Sequence, residues 1–185
     1  MKTESHDSKV APLCKASESY ESMGIPIATV VSSADLRRCC HTLFPGARVC
    51  AETEWTRFDQ PSEIFIVLSV TDSEFPSGLV VGARLKPETD QEAWLRGLAR
   101  ALSTYFGART IIGGGPDEEL PRPYWMLVWE RNAVYLADDQ LMDDGKGTLR
   151  KVRKLELTSV RHLAPDELSE RLQPASRQRD PGKTI

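Results

Sequence analysis

The sequence predicts an α+β domain, a mostly antiparallel sheet with two main helices packed on one of its faces. Three observations carry this. Two amphipathic helical segments, 34–43 and 91–106, each follow a short run of strand-forming residues. Strands then come in succession with no helix between them. The last of these, 124–129 and 133–136, are separated only by Glu130, Arg131 and Asn132, a spacing that makes an antiparallel hairpin.

Taken in order, residues 1–23 are rich in Ser, Glu and Lys and are expected as a flexible arm before a single domain at 24–172. Residues 26–31 read as a strand. Ser32 or Ser33 caps the helix at 34–43, with Leu36, Cys39, Cys40 and Leu43 on its buried side, and Pro45 and Gly46 end it. Residues 47–55 read as a strand with partial alternation, 63–70 as a strongly apolar strand, 75–78 as a turn and 79–85 as another strand, stopped by Pro87.

The long helix opens with a capping box of Thr89 and Glu92. Leu95, Leu98, Leu102 and Phe106 recur at spacings of three and four, so they share one face; Arg96, Arg100 and Ser103 fall on the other. Gly107 is a left-handed terminator. Residues 110–112 form a short strand, broken by Gly113, Gly114, Gly115 and Pro116. The strand at 124–129 is apolar on both faces and therefore central. After Asp138 and Asp139 comes a polar loop, 140–147. Residues 149–160 alternate basic and apolar side chains, as an edge strand does when charge discourages pairing. Pro165 opens a short helix through Leu172, and 173–185, with no core-forming residues, is expected as a disordered tail.

The order contains a faint echo. Strand, helix and two strands at 26–70 precede strand, helix and three strands at 79–137. The helix exits Phe44-Pro45-Gly46-Ala47-Arg48 and Phe106-Gly107-Ala108-Arg109 align with one gap. This admits a βαββ pseudo-repeat.

Composition narrows the function classes. The 185 residues carry a formal net charge of -3, which argues against nucleic-acid binding through a bulk basic surface. Charge is uneven: residues 113–145 hold eight acidic and two basic side chains, and 146–185 hold five acidic and ten basic. No apolar run is long enough to span a membrane, and residues 1–15 lack the apolar core of a signal peptide. A cytoplasmic protein with reduced thiols is expected.

Motifs for chemistry fail on inspection. The triple glycine follows a strand as a phosphate loop does, but Asp117, Glu118, Glu119 and prolines follow where a helix must open. Cys39, Cys40 and His41 lack a second converging pair for zinc and read as buried structural thiols. Asp138, Asp139, Asp143, Asp144 and Gly145 lack the alternate spacing and terminal Glu of a calcium loop. No catalytic residue, cofactor or metal ligand is assigned. What remains is an aromatic-plus-acidic surface. Trp94, Trp125, Trp129 and Tyr135 lie in the stretch 89–139, which also holds the densest acidic loops; some must fill the core, and any left exposed beside those loops have the composition of a protein-binding hot spot. The candidate partner-binding residues are Asp117, Glu118, Glu119, Trp125, Asp138, Asp139, Asp143 and Asp144.

The layout at 94–139 carries a resemblance. A helix ends in Phe106-Gly107-Ala108-Arg109, and a short strand and polar loop follow. Tyr124-Trp125-Met126-Leu127-Val128-Trp129 then leads through a tight hairpin to Ala133-Val134-Tyr135-Leu136. It resembles the small cytosolic immunity proteins of bacterial polymorphic toxin systems, including those paired with type VI or Rhs effectors. The resemblance implies a non-enzymatic protein that binds one toxin domain and blocks it, and an acidic surface suits a toxin with a basic cleft. The alternatives are a non-enzymatic adaptor or regulatory module, and a small-molecule enzyme assembled from scattered residues. A single tight protein partner separates the first from both.

Overall fold

The computed structural model describes residues 21–52, 62–120, 122–139 and 149–174. The expectations for 1–20, the 53–55 end of the second strand, the 140–147 loop with Asp143 and Asp144, and 175–185 lie outside these residues.

Among the described residues eight strands form one sheet: β1 (Glu21–Ile27), β2 (Val49–Glu52), β3 (Ile64–Val70), β4 (Ser77–Ala83), β5 (Arg109–Gly113), β6 (Trp125–Glu130), β7 (Ala133–Asp138) and β8 (Arg150–Leu155). Their spatial order is β2-β3-β4-β1-β5-β6-β7-β8. Only β2 and β3 pair in parallel; every other pair is antiparallel. Helices α1 (Ser33–Leu43) and α2 (Gln91–Phe106) lie on the same face, with the short α3 (Glu167–Glu170) beside them. The fold is the α+β arrangement expected. No helix among the described residues is long and apolar enough to cross a membrane.

Strand alternation explains the main core. Ile25 and Ile27, Ile64 and Ile66, Leu79 and Val81, Leu127 and Trp129, and Val134 and Leu136 all face the helices. Leu36, Cys39, Cys40 and Leu43 of α1 meet them, as do Trp94, Leu98 and Leu102 of α2. Phe44 and Trp94 stack at a ring separation of 6.3 Å, joining the two helices. The Trp94 indole N–H donates to Leu168 O at 3.0 Å and pins α3. On the other sheet face Phe75, Ile111, Val128, Ala137 and Leu149 make a smaller cluster.

Several elements depart from the sequence reading. β1 starts at Glu21, inside the expected arm, and ends at Ile27 rather than at residue 31. Gly24 and Pro26 look like breakers, yet they occupy the face away from the helices while Ile25 and Ile27 are fully buried. The Ala28 N–H donates to Arg109 O across the β1–β5 seam. Alternation puts the Pro26 nitrogen on that same side, where it has no N–H to give. The β1–β5 ladder accordingly holds one register pair, Ile27 with Thr110, whereas β1–β4 holds seven. The cap of α2 is Asp90, whose carboxylate accepts from Ala93 N at 3.0 Å, not Thr89. α3 is a single turn rather than a helix from residue 165 to 172.

The two halves of the echo share their openings only. β1 and β4 are antiparallel neighbours at the sheet centre, and each feeds a helix on the same face. The strand after α1 goes to the far edge and pairs in parallel with β3; the strand after α2 docks against β1 and pairs antiparallel with β6.

Candidate functional site

The site is built on the connection from β5 to β6. Backbone fit makes it a shaped loop. Gly114 has φ +121, a conformation L side chains rarely adopt, and donates its N–H to Trp125 O at 3.0 Å. Gly115 lies under the Trp125 indole, where an added Cβ would stand 2.7 Å from the ring. Gly114 therefore serves a special turn and Gly115 close packing, while a side chain at Gly113 would meet nothing within 4 Å.

The next residues are held by α2. Arg96, expected on the solvent side, is 3% exposed. Its guanidinium donates to Asp117, to Glu92 and to Gly115 O, the last at 3.0 Å. The second Asp117 oxygen accepts from Arg161 N at 2.6 Å, with the Arg161 guanidinium 3.6 Å away. The Asp117 N–H reaches Ser159 O at 3.0 Å. Burial pushes the Asp117 carboxyl pKa up. The hydrogen bonds and charges of Arg96 and Arg161 outweigh that and leave it below its usual value. Asp117, read from sequence as a partner contact, is thus an internal anchor.

Two further polar residues of α2 act alike. Ser103, also expected in solvent, is fully buried. Its hydroxyl accepts from Arg131 N at 2.7 Å and lies within donating distance of Ala108 O and Trp129 O, at 2.7 and 2.9 Å. Arg100 donates to Asn132 Oδ1 at 3.1 Å and to His162 Nε2 at 2.7 Å. His162 Nδ1 faces the Val160 carbonyl at 2.7 Å and so carries the proton, which leaves Nε2 as the acceptor. α2 thereby fixes both connections of β6, the 114–124 loop at one end and the β6–β7 turn at the other.

Beyond Asp117 the loop turns outward. Glu119 pairs with Arg153 of β8. Leu120 is 88% exposed and Tyr124 is 43% exposed. Trp125 is half-buried, with the Arg122 guanidinium carbon 4.9 Å from its ring centroid. Trp125 faces Asp138 across the ladder, and Asp139 N donates to Tyr124 O at 3.1 Å. Asp138 and Asp139 are half-buried, and Glu118 is exposed. The structure therefore brings Asp117, Glu118, Glu119, Trp125, Asp138 and Asp139 to one end of the sheet. Trp94 and Trp129 belong to the core. Asp143 and Asp144 lie outside the described residues.

The patch is not simply acidic, because arginines interleave with the carboxylates. Exposed Leu120 and Tyr124 and half-buried Trp125 stand among these charged side chains. Leu120, Tyr124, Arg96 and Arg122 were missed from sequence. The available signal was Leu120, a large apolar residue in a polar, proline-rich stretch (Pro116, Pro121, Pro123). Among the described residues no three His, Cys, Asp or Glu side chains converge as metal ligands. Cys39 and Cys40 are free and buried. Burial, with the neighbouring Cys40 charge, pushes the Cys39 thiol far up, and burial pushes Cys40 up to about 12, so both are poor nucleophiles.

Compared with protein-family models, with curated proteins and with solved structures, the chain matches none.

Proposed function

We propose that the protein is a non-enzymatic immunity protein that binds a bacterial effector toxin domain in the cytoplasm and occludes its active site. The contact is the sheet end formed by the 114–124 loop and the end of β7. The observation that supports this reading most is a contrast within one loop. Asp117 is locked to Arg96 and Arg161, while Leu120, three residues on, is 88% exposed. A preformed loop spends little ordering entropy on binding. An exposed leucine and tyrosine and a half-buried tryptophan, among charged side chains, have the composition of a protein-binding hot spot. Glu118, Asp138 and Asp139 give the patch its negative charge, suited to a basic cleft, and opposite charge speeds encounter.

Two variants test this against the cognate toxin domain that the reading requires, to be sought first in the neighbouring gene. Tyr124→Ala should weaken binding by about 30-fold, roughly 2 kcal/mol, as an interface anchor does. The triple variant Glu118→Lys, Glu119→Lys, Asp138→Lys should stay folded by circular dichroism. It should associate more slowly and with less dependence on salt, because screening acts within about 10 Å at ordinary ionic strength. Unchanged rate and salt dependence in the triple variant, together with full protection of cells from the toxin by both variants, would place the interface elsewhere.

A further inference from the structure

β8 carries a second surface, which adjoins the first but does not depend on the toxin-binding reading: Arg150 is the register partner of Asp138, and Arg153 pairs with Glu119. β8 closes the sheet: one of its edges pairs with β7, and no described strand pairs with the other. Its sequence, Arg150-Lys151-Val152-Arg153-Lys154-Leu155, holds four cations and no carboxylate, and its first five residues are exposed. Lys151 and Arg153 are tied back to Glu130 and Glu119. Arg150 and Lys154 have no ion-pair partner among the described residues. Val152, between them, is 54% exposed and falls at the register shift that the β7 ladder skips. At the Leu155 end the edge opens onto a pocket of about 510 Å³ lined by Asn132, Ala133 and residues 154–158.

An open edge presents main-chain donors and acceptors to any added strand. Charge decides which strand. A second copy would set cations against cations at facing side-chain distances of about 5 Å, in either direction, which is unfavourable. A strand of alternating carboxylate and apolar residues meets opposite charge on whichever face its carboxylates take, Arg150 and Arg153 on one or Lys151 and Lys154 on the other. A nucleic acid is the poorer fit: two of the four cations are already paired, and the chain as a whole carries -3. We propose that β8 docks an extended acidic segment of another protein by strand addition.

The test uses the full chain and a labelled eight-residue peptide of alternating Glu and Val. Three controls accompany it: the same peptide with alternate backbone nitrogens methylated, a thymidine oligonucleotide, and an Arg150→Glu, Lys154→Glu variant. The Glu-Val peptide should bind saturably, weaken about tenfold from low to high salt, and slow amide exchange at residues 150–155. The variant should bind it at least tenfold more weakly, and the methylated peptide should not bind. Three outcomes overturn the proposal: equal binding of the methylated peptide, tighter binding of the oligonucleotide, or no peptide binding with β8 exchange unchanged.

Discussion

Asp117→Asn would keep one acceptor oxygen and set an NH2 donor against either the buried Arg96 guanidinium or the Arg161 N–H. Asp117→Asn should therefore destabilise the protein by roughly 1–3 kcal/mol near neutral pH. The sign with pH follows from the depressed carboxyl. Its stabilisation is fully present above the unfolded value of about 3.9 and is lost as pH falls through the lower folded value. Urea midpoints of wild type and Asp117→Asn, measured from pH 6 down to pH 2, should converge at the acid end. A gap that stays constant over that range would show that Asp117 is not ionised in its anchoring role. Neither Arg96 nor Ser103 was legible as a buried residue. A polar side chain at a given helical position reads the same whether it meets water or a partner, and here the partners are Asp117, Arg131 and the Trp129 carbonyl, 21 to 28 residues away.

The two main helices were the most legible elements, because a period of three and four residues survives without knowledge of tertiary contacts. Leu36, Cys39, Cys40 and Leu43 are buried on α1, as their spacing required. Leu98 and Leu102 are buried on α2, although Leu95 is only half-buried. Leu98→Ala should cost about 2–5 kcal/mol by leaving a cavity against the sheet, read as a lowered urea midpoint with an unchanged slope. Strand limits were harder to read. β1 was misplaced because its alternation is carried by Met23, Ile25 and Ile27 across a glycine and a proline, two residues that otherwise mark strand ends. The acidic loops were legible as charge but not as geometry: sequence shows Asp117 and Glu119 and hides the arginines that neutralise them.

At the scale of the whole sheet, hairpin neighbours such as β6 and β7 follow from a short turn, but the position of β1 does not follow from anything local. It lies between β4 and β5, so Ile27 meets Ser77 on one side and Thr110 on the other. The same residues at the edge would leave a molecule that tolerates their loss; here they join two half-sheets. Time is where this shows. β1, the first of the described strands, cannot meet β4 until at least fifty further residues have been made. A chain whose central pairing spans such separations collapses before it can register. Refolding followed by the fluorescence of the buried Trp94 and Trp129 should accordingly be slow, on the order of milliseconds to seconds, rather than the microseconds of locally paired helical proteins. Until β4 arrives, the alternating Met23, Ile25 and Ile27 are an exposed sticky strand, and the nascent protein is most exposed to misassociation in that interval.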